Sequence, residues 1–101
     1  MDLAIVEADV TAIGRATRLS KVIGVDVYNE DDEYLGAIDD VMVFAGRAAF
    51  AIVSIGSFPS LGLHLIAIPY AALKMDEEGS AVLEGATRQD LSRLPEFKYR
   101  R

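Results

Sequence analysis

The sequence predicts a small all-β domain, and three observations lead there. Two apolar, β-branched runs, Tyr34–Val43 and Ala48–Ile55, flank a turn at Ala45-Gly46-Arg47 and read as one long β-hairpin. Shorter strand patterns stand on either side, at Val25–Asn29 and His64–Ile68. The length of 101 residues suits one domain that buries roughly 60–65% of its unfolded surface.

The elements follow in order. Residues 1–17 mix alternating apolar positions with Thr11, Gly14 and Thr17 and read as an ordered or half-ordered N-terminal arm. Arg18–Gly24 is a short helical turn that ends at its glycine. Val25–Asn29 alternates as a strand, and Glu30–Glu33 is an acidic turn before the hairpin. Gly56–Gly62 is a loop, and the strand His64–Ile68 stops at Pro69, because proline donates nothing to a ladder. Tyr70–Leu73 makes one helical turn. Lys74-Met75 and Ser80–Glu84 form a last hairpin around Asp76–Gly79. Thr87 caps a short helix running to about Leu94, with Asp90 completing a capping box and Pro95 ending it. The organisation is thus an arm (1–17), a β domain (18–86) and a C-terminal helix with a basic tail (87–101).

One irregularity inside the hairpin is informative. Ile38 and Val41 are three residues apart, where strict alternation needs an even spacing. If both face the core, one residue must be absorbed between them, so the pattern predicts a β-bulge at Asp39-Asp40. A bulge twists and bends its strand, as closing a small barrel requires. The returning strand is apolar on both faces, with Phe50 and Ile52 on one and Ala49, Ala51, Val53 and Ile55 on the other. Such a strand must be covered twice.

Composition narrows the function classes. The net charge of −6 repels phosphate backbones and argues against a nucleic-acid partner. The absence of cysteine excludes disulfides and thiolate metal sites. Acids stand near Met1 where a signal peptide carries bases, and the longest apolar stretch, Val41–Ile55, is broken at Gly46-Arg47. These features predict a cytoplasmic protein with no membrane insertion. A hydrophobic content of 51% is a little above the usual for a domain with so little interior; it fits either a dense core with alanines outside or a partner surface, most simply a homo-oligomer, dimer or higher, which the two-faced strand favours. Charge is also polarised: residues 22–86 carry a net −9 and residues 87–101 a net +3. The tail is expected either to lie along its own body or a neighbour's, or to stay solvated and pair with nothing, since exposed ion pairs add only ~0–1 kcal/mol each.

The series Gly24-Val25-Asp26-Val27-Tyr28, Gly36–Met42, Phe50–Ser54, Leu61–His64 and Ile66–Leu73 resembles the PRC-barrel domain family, and Leu91–Tyr99 is similar to the tail of its stand-alone members. The resemblance spans residues 18–99. It implies a small, strongly bent antiparallel β-barrel with short terminal helices. The family includes the cytoplasmic part of a photosynthetic reaction-centre subunit, a ribosome maturation factor and stand-alone proteins. Tyr70 stands where many members carry Trp after the proline, which keeps an aromatic plug.

Candidate chemistry is sparse. His64 is the only histidine, and it shares a strand face with Ile66 and Ile68. Asp39 and Asp40 could act as an acid pair with a raised pKa, and with His64 they form the one candidate ligand or proton-handling site. The simpler reading has one aspartate turned outward at the bulge and the other bonded to backbone amides. Asn29–Glu33 gathers oxygen ligands but lacks the alternating spacing and glycine of an EF-hand loop, and reads as a solvated turn. No serine lies in a nucleophile motif, and a hydrolase triad would depend wholly on His64. The expectation is a non-catalytic module with no cofactor and no metal. Phe58, Pro59 and Leu61, in a loop of small residues, with Ala49 and Ala51 on the hairpin, are the candidate contacts for a protein partner. Ribosome-maturation-linked binding is a further expectation, implied only by the resemblance.

Overall fold

The computed structural model describes residues 11, 14–46, 48–56 and 64–100, and from Arg18 onward glycines, a proline and β-branched runs divide these described residues into six strands and two short α-helices. Helix α1 is Leu19–Val22, with only Val22 buried. Gly24, at φ +91, turns the chain back so that its N–H meets the Ile38 carbonyl at 2.7 Å. Strand β1 (Asp26–Tyr28) then pairs antiparallel with β2 (Tyr34–Phe44), and β2 with β3 (Ala48–Ser54). β3 pairs with β4 (Leu65–Pro69), whose last residue is the proline opposite Phe50. A 3-10 turn at Tyr70–Ala72 leads to β5 (Lys74–Met75), which pairs with β6 (Ala81–Val82). Helix α2 (Arg88–Ser92) starts with the expected capping box: Thr87 Oγ1 accepts the Asp90 N–H, and Asp90 accepts the Thr87 N–H.

The expected bulge is present. Ile38 lies opposite Val53 and Asp40 opposite Ile52, so Asp39 is the additional residue. Its effect is to keep both Ile38 and Val41 on the core side, with Ile38 fully buried and Val41 packed against the core.

The strand order is β4-β3-β2-β1-β6-β5. Two features differ from an antiparallel barrel. β1 and β6 run parallel, with Val27 opposite Ala81, and the pairing continues as the Leu83 N–H bonds the Tyr28 carbonyl. Among the described residues β4 and β5 do not pair, so the sheet is open. It is nevertheless strongly curled. Ile66 and Ile68 of β4 and Ala81 of β6, far apart in strand order, share one core with Val27, Leu35, Ile38 and Val53. A flat sheet could not bring them together. Tyr70 packs against this core as the expected aromatic plug.

Gly36 makes the curl possible. It is buried, and a Cβ there would collide with the Ser54 carbonyl oxygen and press on Val53 Cγ1 at 3.0 Å. β2 and β3 can approach this closely only where no side chain intervenes.

Candidate functional site

The residues with chemistry lie at the β2 bulge, at the start of β4 and on the C-terminal segment that contacts both. At the bulge Asp39 is exposed, while Asp40 is half-buried and accepts the Val41 N–H at 2.8 Å. This is the simpler of the two expected arrangements, with one addition that pattern reading missed. The Tyr99 hydroxyl donates to Asp39 Oδ2 at 2.6 Å across 60 residues of sequence. Desolvation of the Tyr99 phenol, then its bond to Asp39 and the negative charges of Asp39 and Asp40, hold its pKa well above the ordinary tyrosine value.

His64 belongs to a different cluster. Its carbonyl accepts from Ile55, which sets its level on the sheet, and its Nδ1 lies 3.4 Å from Glu96 Oε2. Strand spacing and rise place its backbone ~12 Å from that of Asp39, two strands across and two to three residues along. Asp39, Asp40 and His64 therefore form no single site. Each end instead holds a residue of the tail. Among the described residues no group of three His, Cys, Asp or Glu side chains is arranged to hold a metal ion.

The tail lies along its own body. Phe97 donates its N–H to the Leu65 carbonyl at 2.7 Å, and the Phe97 and Tyr99 rings meet edge to face at 5.0 Å between centroids. Charge counting suggested the location, but a backbone bond, a phenol and an acid facing a histidine provide the contacts.

The acidic turn is exposed as expected, yet it organises the chain around it. Asn29, which is buried, accepts the Asp31 and Glu33 N–H groups and donates to Glu33 and to the Ala86 carbonyl. Glu30 accepts the Gly85 N–H at 2.6 Å, and Glu33 accepts the Arg88 N–H. The bond from Gly85, then one from its own backbone, lowers the Glu30 pKa. With Asn29 and both glutamates engaged in tying residues 85–88 to the strand, the turn has a structural role.

The hairpin residues expected to meet a partner separate. Ala51 is fully buried in the core, opposite Ile68, which removes it from the expected contact surface. Ala49 is half-buried. Phe58, Pro59 and Leu61 lie outside the described residues. The apolar surface that the hairpin does present is at its far end. Met42, Val43 and Phe44 are exposed, the last two at 62% and 69%, and Phe44 stands edge to face with the half-buried Phe50. Alternation around the pairs Val43–Ala49 and Met42–Phe50 puts apolar groups on both faces there. Composition indicated that a surface of this kind exists, but its place depends on where the core ends.

Among the described residues no helix is long and apolar enough to cross a membrane. Compared with models of known families, residues 15–84 match the PRC-barrel domain. No curated protein matches the chain. Among solved structures the chain is similar to one from Pseudomonas aeruginosa described as a 16S ribosomal RNA processing protein, RimM. The TM-score is 0.55 at 18% identity, and the likeness covers 71% of this chain and 45% of that one. The chain thus spans less than half of that protein's length, and at this identity the likeness is one of fold.

Proposed function

The chain belongs to the PRC-barrel domain family, and we propose that it is a non-catalytic, cytoplasmic interaction module that self-associates through the far half of its β2–β3 hairpin. The observation that carries this reading is the two-faced apolar end formed by Met42, Val43, Phe44 and Phe50. Exposed aromatic and aliphatic groups grouped in this way are the anchors from which protein interfaces are built. The curled sheet acts as a barrel-like scaffold: its inside is filled by Leu35, Ile38, Val53, Ile66 and Ala81, and it holds the hairpin end clear of the core.

The separation of His64, which faces Glu96, from Asp39, which accepts from Tyr99, and from Asp40, which accepts the Val41 N–H, weighs against a ligand or proton site built from all three. Ribosome-linked binding has the fold likeness in its favour. With a net −9 over residues 22–86, such a role calls for a protein rather than an RNA partner.

Light scattering on size-exclusion fractions tests the proposal. Wild-type protein is expected to move from monomer to dimer mass between about 1 and 100 µM, and Val43→Ser/Phe44→Ser to remain monomeric. A wild-type monomer throughout that range contradicts self-association.

A further inference from the structure

The C-terminal tail meets the sheet as a bound peptide would. Beyond α2 and Pro95, Glu96 faces His64, the Phe97 N–H bonds the Leu65 carbonyl on edge strand β4, and Tyr99 reaches Asp39 on β2. These anchors lie on either side of β3. Between them Ile52 points away from the core, being opposite in alternation to Ala51 and Val53, and yet it is fully buried. The Phe97 and Tyr99 rings stack edge to face between these two anchors, Phe97 held at β4 and Tyr99 at β2. None of the contacts depends on the tail belonging to the same chain.

We propose that this strip, from Leu65 over Ile52 to Asp39, is a docking site for an extended segment of the pattern acid-aromatic-x-aromatic, and that the tail of a second copy occupies it by exchange. Edge-strand hydrogen bonding with side-chain anchors on alternate residues is a recurrent way to bind extended peptides. Exchange replaces each contact with an identical one, so its cost is chiefly that of association. The short connection through Pro95 gives the tail an effective concentration of order millimolar for its own site, so exchange is favoured at high protein concentration or once two copies are already held together. The acidic body and basic tail also attract each other between copies. The strip's anchors, His64, Leu65 and Asp39, are other residues than those of the hairpin end, Met42–Phe44, although the two adjoin along β3.

Complementation between full-length variants tests the exchange. Both partners carry Val43→Ser/Phe44→Ser, which removes the hairpin contact and keeps the two proposals distinguishable. An acceptor, Phe97→Ser/Tyr99→Ser, has a vacant strip; a donor, Asp39→Ala/His64→Ala, has an intact tail with weakened anchors at home. Each alone is expected to run at monomer mass. An equimolar mixture at several hundred micromolar is expected to show a doubled mass that an excess of a synthetic peptide of residues 94–101 reverses. Two folded partners that remain monomeric when mixed overturn the proposal. An acceptor whose circular dichroism shows it unfolded also overturns it, because the tail is then an inseparable part of the core.

Discussion

The near and far halves of the β2–β3 hairpin share one ladder and much the same apolar composition, yet they meet opposite surroundings. Near the bulge, Leu35, Ile38, Ala51, Ile52 and Val53 are all buried. Past Val41, the side chains of Met42, Val43 and Phe44 emerge into solvent. Residue type does not separate the halves. What surrounds the strand does: the curled sheet covers one face of the near half, the tail is anchored on both sides of its other face, at Leu65 and Asp39, and no described element covers the far end. A strand that is apolar on two faces states that two covers are needed, and in the near half both faces are buried, Ala51 and Val53 on one and Ile52 on the other.

The largest expected effect is at the narrowest point of the near half. Gly36→Ala forces a Cβ against the Ser54 carbonyl and is expected to cost about 3 kcal/mol, at the upper end for overpacking, as read by urea denaturation. Gly46→Ala in the far turn meets no neighbouring atom and pays only for its φ of +68, about 1 kcal/mol. Equal losses at the two glycines would erase the distinction between the halves.

Tyr99→Phe tests the outer cover and is expected to cost about 0.5–1 kcal/mol, since the bond to Asp39 is charge-assisted but partly exposed. The phenol's raised pKa fixes the sign of its pH dependence. An unfolded tyrosine ionises near 10, so the contribution is intact below about pH 10 and is lost as pH rises through the higher folded value. Denaturation midpoints compared between pH 8 and 11 should fall more steeply in wild type than in Tyr99→Phe. Glu30 has the opposite dependence. Its lowered pKa stabilises the fold above the ordinary carboxylate range, and that contribution is lost as pH falls through the folded value. Glu30→Gln should flatten the acid limb of the stability profile.

The smallest effects belong to the far half. Phe44→Ser is expected to change monomer stability by no more than about 0.5 kcal/mol, because little of the ring is buried. Ala45→Gly, at φ +54, should raise stability by a few tenths of a kcal/mol, as relief of the left-handed strain slightly exceeds the added chain entropy. Thermal unfolding at low protein concentration reads both.

Much of the near half was legible in the sequence because its causes are local. The three-residue gap between Ile38 and Val41 gives the bulge, Gly24 the helix stop, and Thr87 with Asp90 the capping box. The missed features couple distant positions. The parallel β1–β6 pairing joins two very short strands, which carry no local signal of direction. Asn29 looks like an ordinary turn residue until its bond to Ala86, 57 positions away, makes it a buried hub. The Tyr99–Asp39 bond was out of reach for the same reason. Charge polarity offered its own body, a neighbour's or solvent as the tail's surroundings, and it could not single out a phenol and a glutamate in a segment rich in bases. The exposed hairpin end was expected as a quantity of apolar surface and could be located only once the core's boundary was known.

Amide hydrogen exchange at low and high protein concentration tests the central claim most directly, since it reads both halves of the hairpin in one experiment. The account predicts that amides of Leu35–Ile38 and Ala51–Val53 are equally protected at about 1 µM and 200 µM. Those of Met42–Phe44 and Ala49–Phe50 should gain protection at the higher concentration, and Val43→Ser/Phe44→Ser should abolish the gain. Protection of the far half that does not change with concentration would contradict its assignment as the self-association surface.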